Sequence, residues 1–155
     1  MVCMQPFRVV DPAAPGAQRA MGHYFDEIGA AFGFRPGTAL ADAVAAYAPP
    51  CGRFVVAGPD EEPVACGAVL FLDEDRGEIK RMWVAPAVRG QGLAGQLLAR
   101  LEELILAAGR REALLDTNST LTTAVGLYES RGYRRVPDYN GNPDADVWFA
   151  KPLIE

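Results

Sequence analysis

Residues 77–108, which read GEIKRMWVAPAVRGQGLAGQLLARLEELILAA, decide which fold the sequence predicts. The apolar run over residues 79–84 predicts a strand that ends at Pro86, and leucines at helical spacing predict a long amphipathic helix that ends at Gly109. A glycine-rich turn separates the two elements. Because free N–H groups in such a turn and the positive end of a helix both attract anions, this stretch predicts a phosphate-binding site.

Composition and charge limit the class of protein. The chain has 155 residues, 50% of them hydrophobic, which predicts a single domain over residues 1–155 with a substantial core. A net charge of −5 argues against a general nucleic-acid surface. No apolar run is long enough for a membrane span and no signal-peptide pattern is present, so we expect a cytoplasmic protein with no membrane partner. Three cysteines without a C-x-x-C pair and one histidine argue against a disulfide framework and a metal site.

Periodicity and turn residues predict the order of elements along the chain. Strands are expected over residues 7–10, 53–57, 64–72, 78–84 and 113–116, from residue 133, and over 146–151, with helices over 17–32, 38–47, 92–108 and 121–131. Short turns between the second, third and fourth strands predict an antiparallel meander. This order is not a regular β-α-β alternation, so the predicted fold class is α/β with a mixed sheet of the α+β kind.

The glycine turn also matches a dinucleotide-binding pattern. Gly90-Gln91-Gly92-Leu93-Ala94-Gly95 reads G-x-G-x-x-G, and the acidic Asp116 follows about twenty residues later. In that fold the first glycine follows the strand almost directly, whereas residues 85–89 intervene here. The preceding strands are also patterned as hairpins rather than parallel units, which disfavours the dinucleotide interpretation. A Walker loop is excluded because no Gly-Lys-Ser/Thr follows.

Two motifs in order resemble the GCN5-related N-acetyltransferase (GNAT) family. The first is Arg89-x-x-Gly92-x-Ala94, preceded by the strand KRMWVAP and followed by a leucine-rich helix. The second combines LLDTN at residues 114–118 with AVGLYESRGY at residues 124–133. The resemblance covers about residues 53–153 and implies a GNAT-like acyl-CoA N-acyltransferase fold. That fold has a strongly twisted, mostly antiparallel central sheet flanked by about four helices.

The resemblance also implies an activity. We expect an acetyl-CoA-dependent N-acetyltransferase that moves an acetyl group to a primary amine of a small molecule or peptide, by direct transfer in a ternary complex and without a metal. Dimerisation is common in the family, so a homodimer is one expected assembly. The alternative from another class is a catalytically silent CoA-binding sensor or interaction module.

The resemblance assigns each part of acetyl-CoA to a segment of the chain. Met82 and Trp83 would hold the pantetheine, and the N–H of Val84 would polarise the thioester carbonyl as an oxyanion donor does. Many members carry Asn three residues before the alanine of the second motif, where this chain has Leu121 and offers Asn118 instead. Asn118 is therefore a candidate cofactor ligand, with a helix N-cap as its alternative role. The pyrophosphate would lie on the turn formed by Arg89, Gly90, Gln91, Gly92, Leu93, Ala94 and Gly95.

Candidate catalytic groups follow from the same resemblance. Tyr128 would be the general acid that protonates the departing CoA thiolate, and its alternative role is a core aromatic at helical spacing. Glu78, at the start of the central strand, would be the general base, with Asp116 as the alternative.

The acceptor site is expected between the first two helices and the loop after Tyr133. Arg81 or Arg35 could pair with a substrate carboxylate, while His23 is expected to be a helix-surface histidine. The acceptor candidates are Tyr24, Phe25, Phe34, Arg35, Tyr139, Asn140 and Trp148.

Overall fold

The computed structural model describes residues 7–32 and 44–153. Its helices are α1 (Pro15–Phe32), α2 (Leu93–Ala107) and α3 (Thr122–Ser130), with a 3₁₀ turn over Pro86–Val88. Of the helix predicted over residues 38–47, only residues 44–47 are described, and they are helical. No helix in the described ranges is long and apolar enough to cross a membrane. The strands are β1 (Arg8–Val10), β2 (Gly52–Ala57), β3 (Ala65–Phe71), β4 (Arg76–Val84), β5 (Glu112–Thr117), β6 (Arg134–Val136) and β7 (Val147–Pro152).

The strands of the described chain form one sheet in the order β1-β2-β3-β4-β5-β7-β6. Strands β1 to β4 pair as antiparallel neighbours, which confirms the predicted meander. The pairing of β4 with β5 is parallel and covers only three residue pairs, of which Glu78 with Leu114 is the last. Beyond that pair the two strands separate, and β5 continues in antiparallel register with β7. The fold therefore has a gap in the middle of the sheet.

The two faces of the sheet carry different helices. Leucines of α2 and residues of α3 pack on one face against Ile79 and Leu115, whereas α1 packs on the other face against Phe54 and Trp83. Because side chains alternate along a strand, Glu78 of β4 and the residues next to Leu115 on β5 point to the α1 face. Five large apolar residues of α2 are buried, and Leu104, at the same helical spacing, is partly buried against the same core, so the apolar face that the spacing predicts is confirmed. The five buried residues are Leu93, Leu97, Leu98, Leu101 and Ile105.

A β-bulge interrupts β4 just beyond the point where the sheet opens. Ala68 pairs with Lys80 and Cys66 with Trp83, so Gly67 alone lies opposite two residues of β4, Arg81 and Met82. A Cβ on Gly67 would lie 2.8 Å from a methyl carbon of Leu101, so a side chain at this position would force the leucines of α2 to shift. The extra residue takes the left-handed conformation, with φ of +59° at Arg81. The bulge shifts the alternation, so that Arg81 and Trp83 both face α1.

Candidate active site

A cleft of about 610 Å³ opens where β4 leaves β5. The N-terminus of α2 forms one wall, α3 another, and β4 the floor. Eleven of the residues predicted for the site line it: Tyr24, Met82, Trp83, Val84, Arg89, Gly90, Gly92, Leu93, Ala94, Gly95 and Tyr128. The cleft thus brings together the glycine turn, the splayed strand and the candidate acid, which lie far apart in the sequence.

The glycine turn leaves the first N–H groups of α2 open to this cleft. Gly90 and Gly92 have φ of +81° and +80°, a region that L-residues with a side chain rarely adopt. Gly92 is the N-cap of α2, and no side chain caps the helix. The N–H groups of Leu93 and Ala94 have no acceptor within the helix, since the first turn never does. The turn therefore has the geometry of an anion cradle.

Arg131 adds a positive charge to the same wall. Its guanidinium fills the space beside the Cα of Gly95, so any side chain at that position would collide with it. Arg131 follows the last residue of α3 and lines the cleft. Arg131 lies inside the second sequence motif, two residues before its end at Tyr133, and nothing in the spacing alone distinguishes it from the other surface arginines.

The backbone of Val84 faces the gap rather than β3. Ala85 N–H donates to the carbonyl of Val64 at 2.8 Å, so Val84 and Ala65 form a pair that exchanges no hydrogen bonds. The N–H and C=O of Val84 consequently point to the side that β5 has left. The carbonyl accepts a hydrogen bond from Arg89 Nε at 2.9 Å, and Arg89 also forms an ion pair with Glu27 of α1. The guanidinium of Arg89 thus braces the turn against α1.

Tyr128 holds its proton at the cleft wall. The side chain is 8% exposed and packs on Tyr133 and Phe149, with ring centroids 6.0 Å apart in both cases. Its hydroxyl donates to Met82 Sδ at 3.8 Å, and a thioether is a weak acceptor. Burial raises the pKa of the phenol above its ordinary value, so it is protonated at neutral pH. The side chain is both a core aromatic and a lining residue of the cleft.

Glu78 belongs to a hydrogen-bonded network on the α1 face. It is the third residue of β4 rather than the first, and its side chain is 2% exposed, unlike a solvated edge glutamate. Its carboxylate accepts from Tyr139 Oη at 2.6 Å and Asn140 Nδ2 at 2.9 Å, and Lys80 Nζ lies 3.4 Å away. Burial, followed by the charge of Glu78, raises the pKa of Tyr139. The phenol therefore remains a donor.

Asn140 joins Glu78 to the second candidate base. Its Nδ2 also donates to Asp116 Oδ2 at 2.5 Å, and Asn142 Nδ2 donates to the same oxygen at 3.2 Å. Trp148 Nε1 donates to Asn140 Oδ1 at 2.9 Å, which fixes the orientation of the amide. Both carboxylates thus lie next to the point where β4 and β5 part. The sequence predicted these residues separately, but gave no sign that one asparagine bridges two acids.

Comparison with known proteins assigns the family. The Acetyltransferase (GNAT) family model matches residues 21–133. The chain belongs to this family. It is 38% identical to the IAA acetyltransferase of Azospirillum brasilense over 104 residues, 65% of this chain and 68% of that protein.

Two solved structures share the fold over almost their whole length. An acetyltransferase from Streptococcus agalactiae gives a TM-score of 0.82, with 18% identity, and covers 98% of this chain and 100% of its own. An aminoglycoside 6'-N-acetyltransferase complexed with coenzyme A gives a TM-score of 0.71, with 17% identity. That match covers 97% of this chain and 98% of the aminoglycoside enzyme. The predicted family and fold class are confirmed, and the dinucleotide alternative is wrong.

Other site residues of this GNAT domain lie away from the cleft lining. Asn118 Oδ1 accepts from the N–H and Oγ1 of Thr120, at 3.0 and 2.7 Å, and so closes a turn before α3. The predicted N-cap role of Asn118 is wrong, because Leu121 is the N-cap and no side chain caps that helix. Gln91 is exposed on the turn. Tyr139 and Trp148 belong to the network, and Phe34 and Arg35 lie outside the described residues.

The GNAT cleft also has lining residues that the sequence did not suggest. Glu27, Ile28 and Ala31 contribute from α1. Thr120, Leu121, Thr122 and Thr123 contribute from the start of α3, opposite the start of α2. Both sets follow from the packing of helices around the gap, which no local motif encodes.

The α1 side of the GNAT sheet carries an aromatic group next to the cleft. The guanidinium carbon of Arg81 lies 5.7, 5.0 and 5.9 Å from the ring centroids of Tyr24, Phe25 and Tyr47. His23 is exposed, as predicted, and its ring stacks on that of Trp83, with ring centroids 5.1 Å apart. Tyr24 lies in both regions, because it lines the cleft and contacts Arg81.

Proposed function

We propose that this GNAT protein is an acetyl-CoA-dependent N-acetyltransferase that acetylates a primary amine of a small molecule or peptide by direct transfer in a ternary complex. One observation carries the proposal: the phenol of Tyr128 and the outward N–H of Val84 lie on the same cleft as the uncapped start of α2. The neighbouring structure complexed with coenzyme A supports the choice of cosubstrate.

The wall formed by α2 would hold the pyrophosphate. The free N–H groups of its first turn and the guanidinium of Arg131 supply hydrogen bonds and charge, and Gly90 and Gly92 let the anion approach the backbone closely. Met82 and Trp83 border the gap in which an extended pantetheine could pair with β4. Arg89 is bound to Glu27 and would act by holding the turn rather than by direct contact with phosphate.

The reacting groups would meet in the gap between β4 and α3. Acetyl-CoA supplies the thioester, and the N–H of Val84 would bind the carbonyl oxygen as negative charge develops on it. The amine nitrogen attacks the carbonyl carbon, the carbon–sulfur bond breaks, and the CoA thiolate takes the proton of Tyr128. Because burial keeps this phenol protonated, the acid is ready at neutral pH.

The proton lost by the attacking amine needs an acceptor other than the departing thiolate, which takes its proton from Tyr128. Glu78 and Asp116 are the two carboxylates at the parting of β4 and β5. Glu78 is almost inaccessible, so it would act through its partner Tyr139, whose hydroxyl can take a proton as it passes its own to the carboxylate, whereas Asp116 is partly exposed and could act directly. Asn140 couples the two, so removal of either carboxylate should disturb the other.

Binding and chemistry can be tested separately. Acetyl-CoA and CoA should each raise the melting temperature of the protein, and no shift with either at millimolar concentration would refute the proposal. Amine acceptors are then screened for release of free thiol. Binding without release from any acceptor would favour the silent CoA-binding module.

Substitution of the acid tests the mechanism. Tyr128→Phe removes the proton donor but keeps the ring packed in the core, so CoA affinity should be retained while kcat falls about 10²- to 10⁴-fold. Tyr133→Phe is the matched control, since it deletes the hydroxyl of a neighbouring buried tyrosine that donates to Glu102 away from the cleft. Full turnover by Tyr128→Phe would remove Tyr128 from the acid role.

A further inference from the structure

Arg81 occupies a position that an arginine fits poorly. Its φ of +59° lies in the left-handed region, where a side chain strains the backbone, and the bulge opposite Gly67 creates that conformation. Strain of this kind is commonly retained where it serves a binding or catalytic site. The bulge turns the guanidinium onto the α1 face, beside Tyr24 and therefore beside the cleft.

The charge of Arg81 is not balanced within the described ranges of the chain. No carboxylate there lies within ion-pair distance of its guanidinium, and its Nε is buried without a hydrogen-bond partner. Three aromatic rings surround the group instead, at 5.0 to 5.9 Å. Aromatic faces stabilise a cation but do not replace a hydrogen-bond acceptor, so the unpartnered Nε–H of Arg81 can donate to an oxyanion.

The carboxylates on the same face are already engaged elsewhere. Glu78 is bound by Lys80, Tyr139 and Asn140, and Asp116 by Asn140 and Asn142. These two acids form a negative region at the parting of the strands, whereas Arg81 forms a positive one three residues further along β4. A ligand between them would meet an acidic pair at one end and a guanidinium at the other.

The phenols near Arg81 can add hydrogen bonds. Burial raises the pKa of Tyr47 to about 12 and raises that of Tyr24, while the charge of Arg81 opposes both shifts. Both hydroxyls are therefore protonated donors at neutral pH. A planar carboxylate suits this set, because a guanidinium binds its two oxygens side by side.

We propose that Arg81 binds a carboxylate of the acceptor, so that the acceptor is an amino acid or a related amino-carboxylate whose ammonium group lies at the Glu78–Asp116 pair. This rests on the acetyltransferase function proposed above. Arg81 would be a specificity residue, since it contacts the part of the substrate that does not react.

Matched acceptors provide the test. Standard L-amino acids are compared with their carboxamides and their decarboxylated amines, with thiol release as the readout at saturating acetyl-CoA. The wild type should prefer the acids in kcat/KM by about 10²-fold or more, because a site built to bind a charged group rejects analogues that lack it. Equal use of acids and amides, preference for the decarboxylated amines, or turnover of none of the acids would overturn the proposal.

Variants separate recognition from packing. Arg81→Met keeps much of the side-chain volume and should lose about 10²-fold on the acids, mainly through KM, with little change on the amides. Arg53→Met is the control, because Arg53 also lies over an aromatic ring, Phe71, at 5.2 Å, but away from the cleft. An equal loss on acids and amides would show that Arg81 only holds α1 to the sheet.

Cosubstrate binding distinguishes the two proposals. Wild type and Arg81→Met should show the same thermal shift with CoA, since the proposed cosubstrate contacts are made by the backbone of β4 and the start of α2, whereas the Arg81 side chain faces the aromatic rings of the α1 side. Retained CoA binding with no preference for carboxylates refutes the role of Arg81 alone. If the wild type does not bind CoA, the proposed function itself is refuted.

Discussion

Alanine substitutions at the two ends of α2 test the anion cradle most directly. Gly92 is the N-cap with φ of +80°, and Gly109 follows the C-cap with φ of +83°. At both positions a Cβ would have no neighbour within 4 Å, so neither substitution causes a collision in the free protein. The two variants therefore impose the same backbone strain, one in the cleft and one at the far end of the helix.

The size of that strain sets the expected change in stability. An L-residue in the left-handed region costs about 1–2 kcal/mol in the free energy of unfolding. For a domain of this size each kcal/mol corresponds to about 2–4 °C, so both variants should melt about 2–8 °C below the wild type. Urea denaturation should give matching losses, with an unchanged m-value.

CoA affinity should separate the variants. The methyl group of Gly92→Ala would be added at the N-cap, where the proposed pyrophosphate approaches the backbone, and loss of one charge-assisted hydrogen bond costs about 1.5–3 kcal/mol. Isothermal titration should then show CoA binding weakened about 10- to 100-fold, while Gly109→Ala binds as the wild type does. Equal affinities for the two variants would refute the cradle at Gly92.

Three further results are expected. Gly52→Ala should lower the free energy of unfolding by about 1–3 kcal/mol, because its Cβ would collide with neighbouring backbone. Gly126→Ala, in open space on α3, should raise the free energy of unfolding by about 0.5–1 kcal/mol. Urea denaturation measures both changes, and reversed signs would contradict the packing described. Trp148→Phe removes the donor that orients Asn140, so kcat should fall with CoA affinity unchanged, and an unaltered kcat would show that the network is only structural. Burial raises the pKa of Tyr128 above the ordinary 10.0, so the protonated phenol stabilises the folded state fully below pH 10 and loses this effect as the pH rises further. The melting temperature should therefore fall above pH 10, and an increase there would contradict this.

Local patterns in the sequence predicted most of the fold. The leucine spacing of α2 and the hairpin turns of the meander depend on residues close in the chain, so they were correct to within two residues. The place of β7 between β5 and β6 depends on pairing across more than thirty residues along the chain, such as Asp116 with Trp148. Alternation along a single strand carries no information about which strand lies beside it.

The candidate site was predictable where backbone geometry decides it. Gly90 and Gly92 have positive φ, a conformation for which glycine is the expected residue in a turn. Side-chain partnerships were less accessible, because they join distant segments. Arg89 pairs with Glu27, which lies 62 residues earlier, and Asn140 bridges acids 62 and 24 residues away. The predicted N-cap role of Asn118 was wrong because its side chain closes a turn that precedes α3.

Because β4 pairs with β5 over only three residue pairs, the rest of β4 is an unpaired edge although the strand lies in the middle of the sheet. Exposed edges normally invite another chain to add a strand, and proteins protect them with charges, bulges or covering elements. Here α2 and α3 wall the edge, and the bulge at Arg81 bends it, so a polypeptide strand has little room to enter. An extended chain with amide groups but few side chains would need less room, which describes pantetheine. The same geometry that hinders a further polypeptide strand would thus suit the proposed cosubstrate, which would take the place of a missing strand.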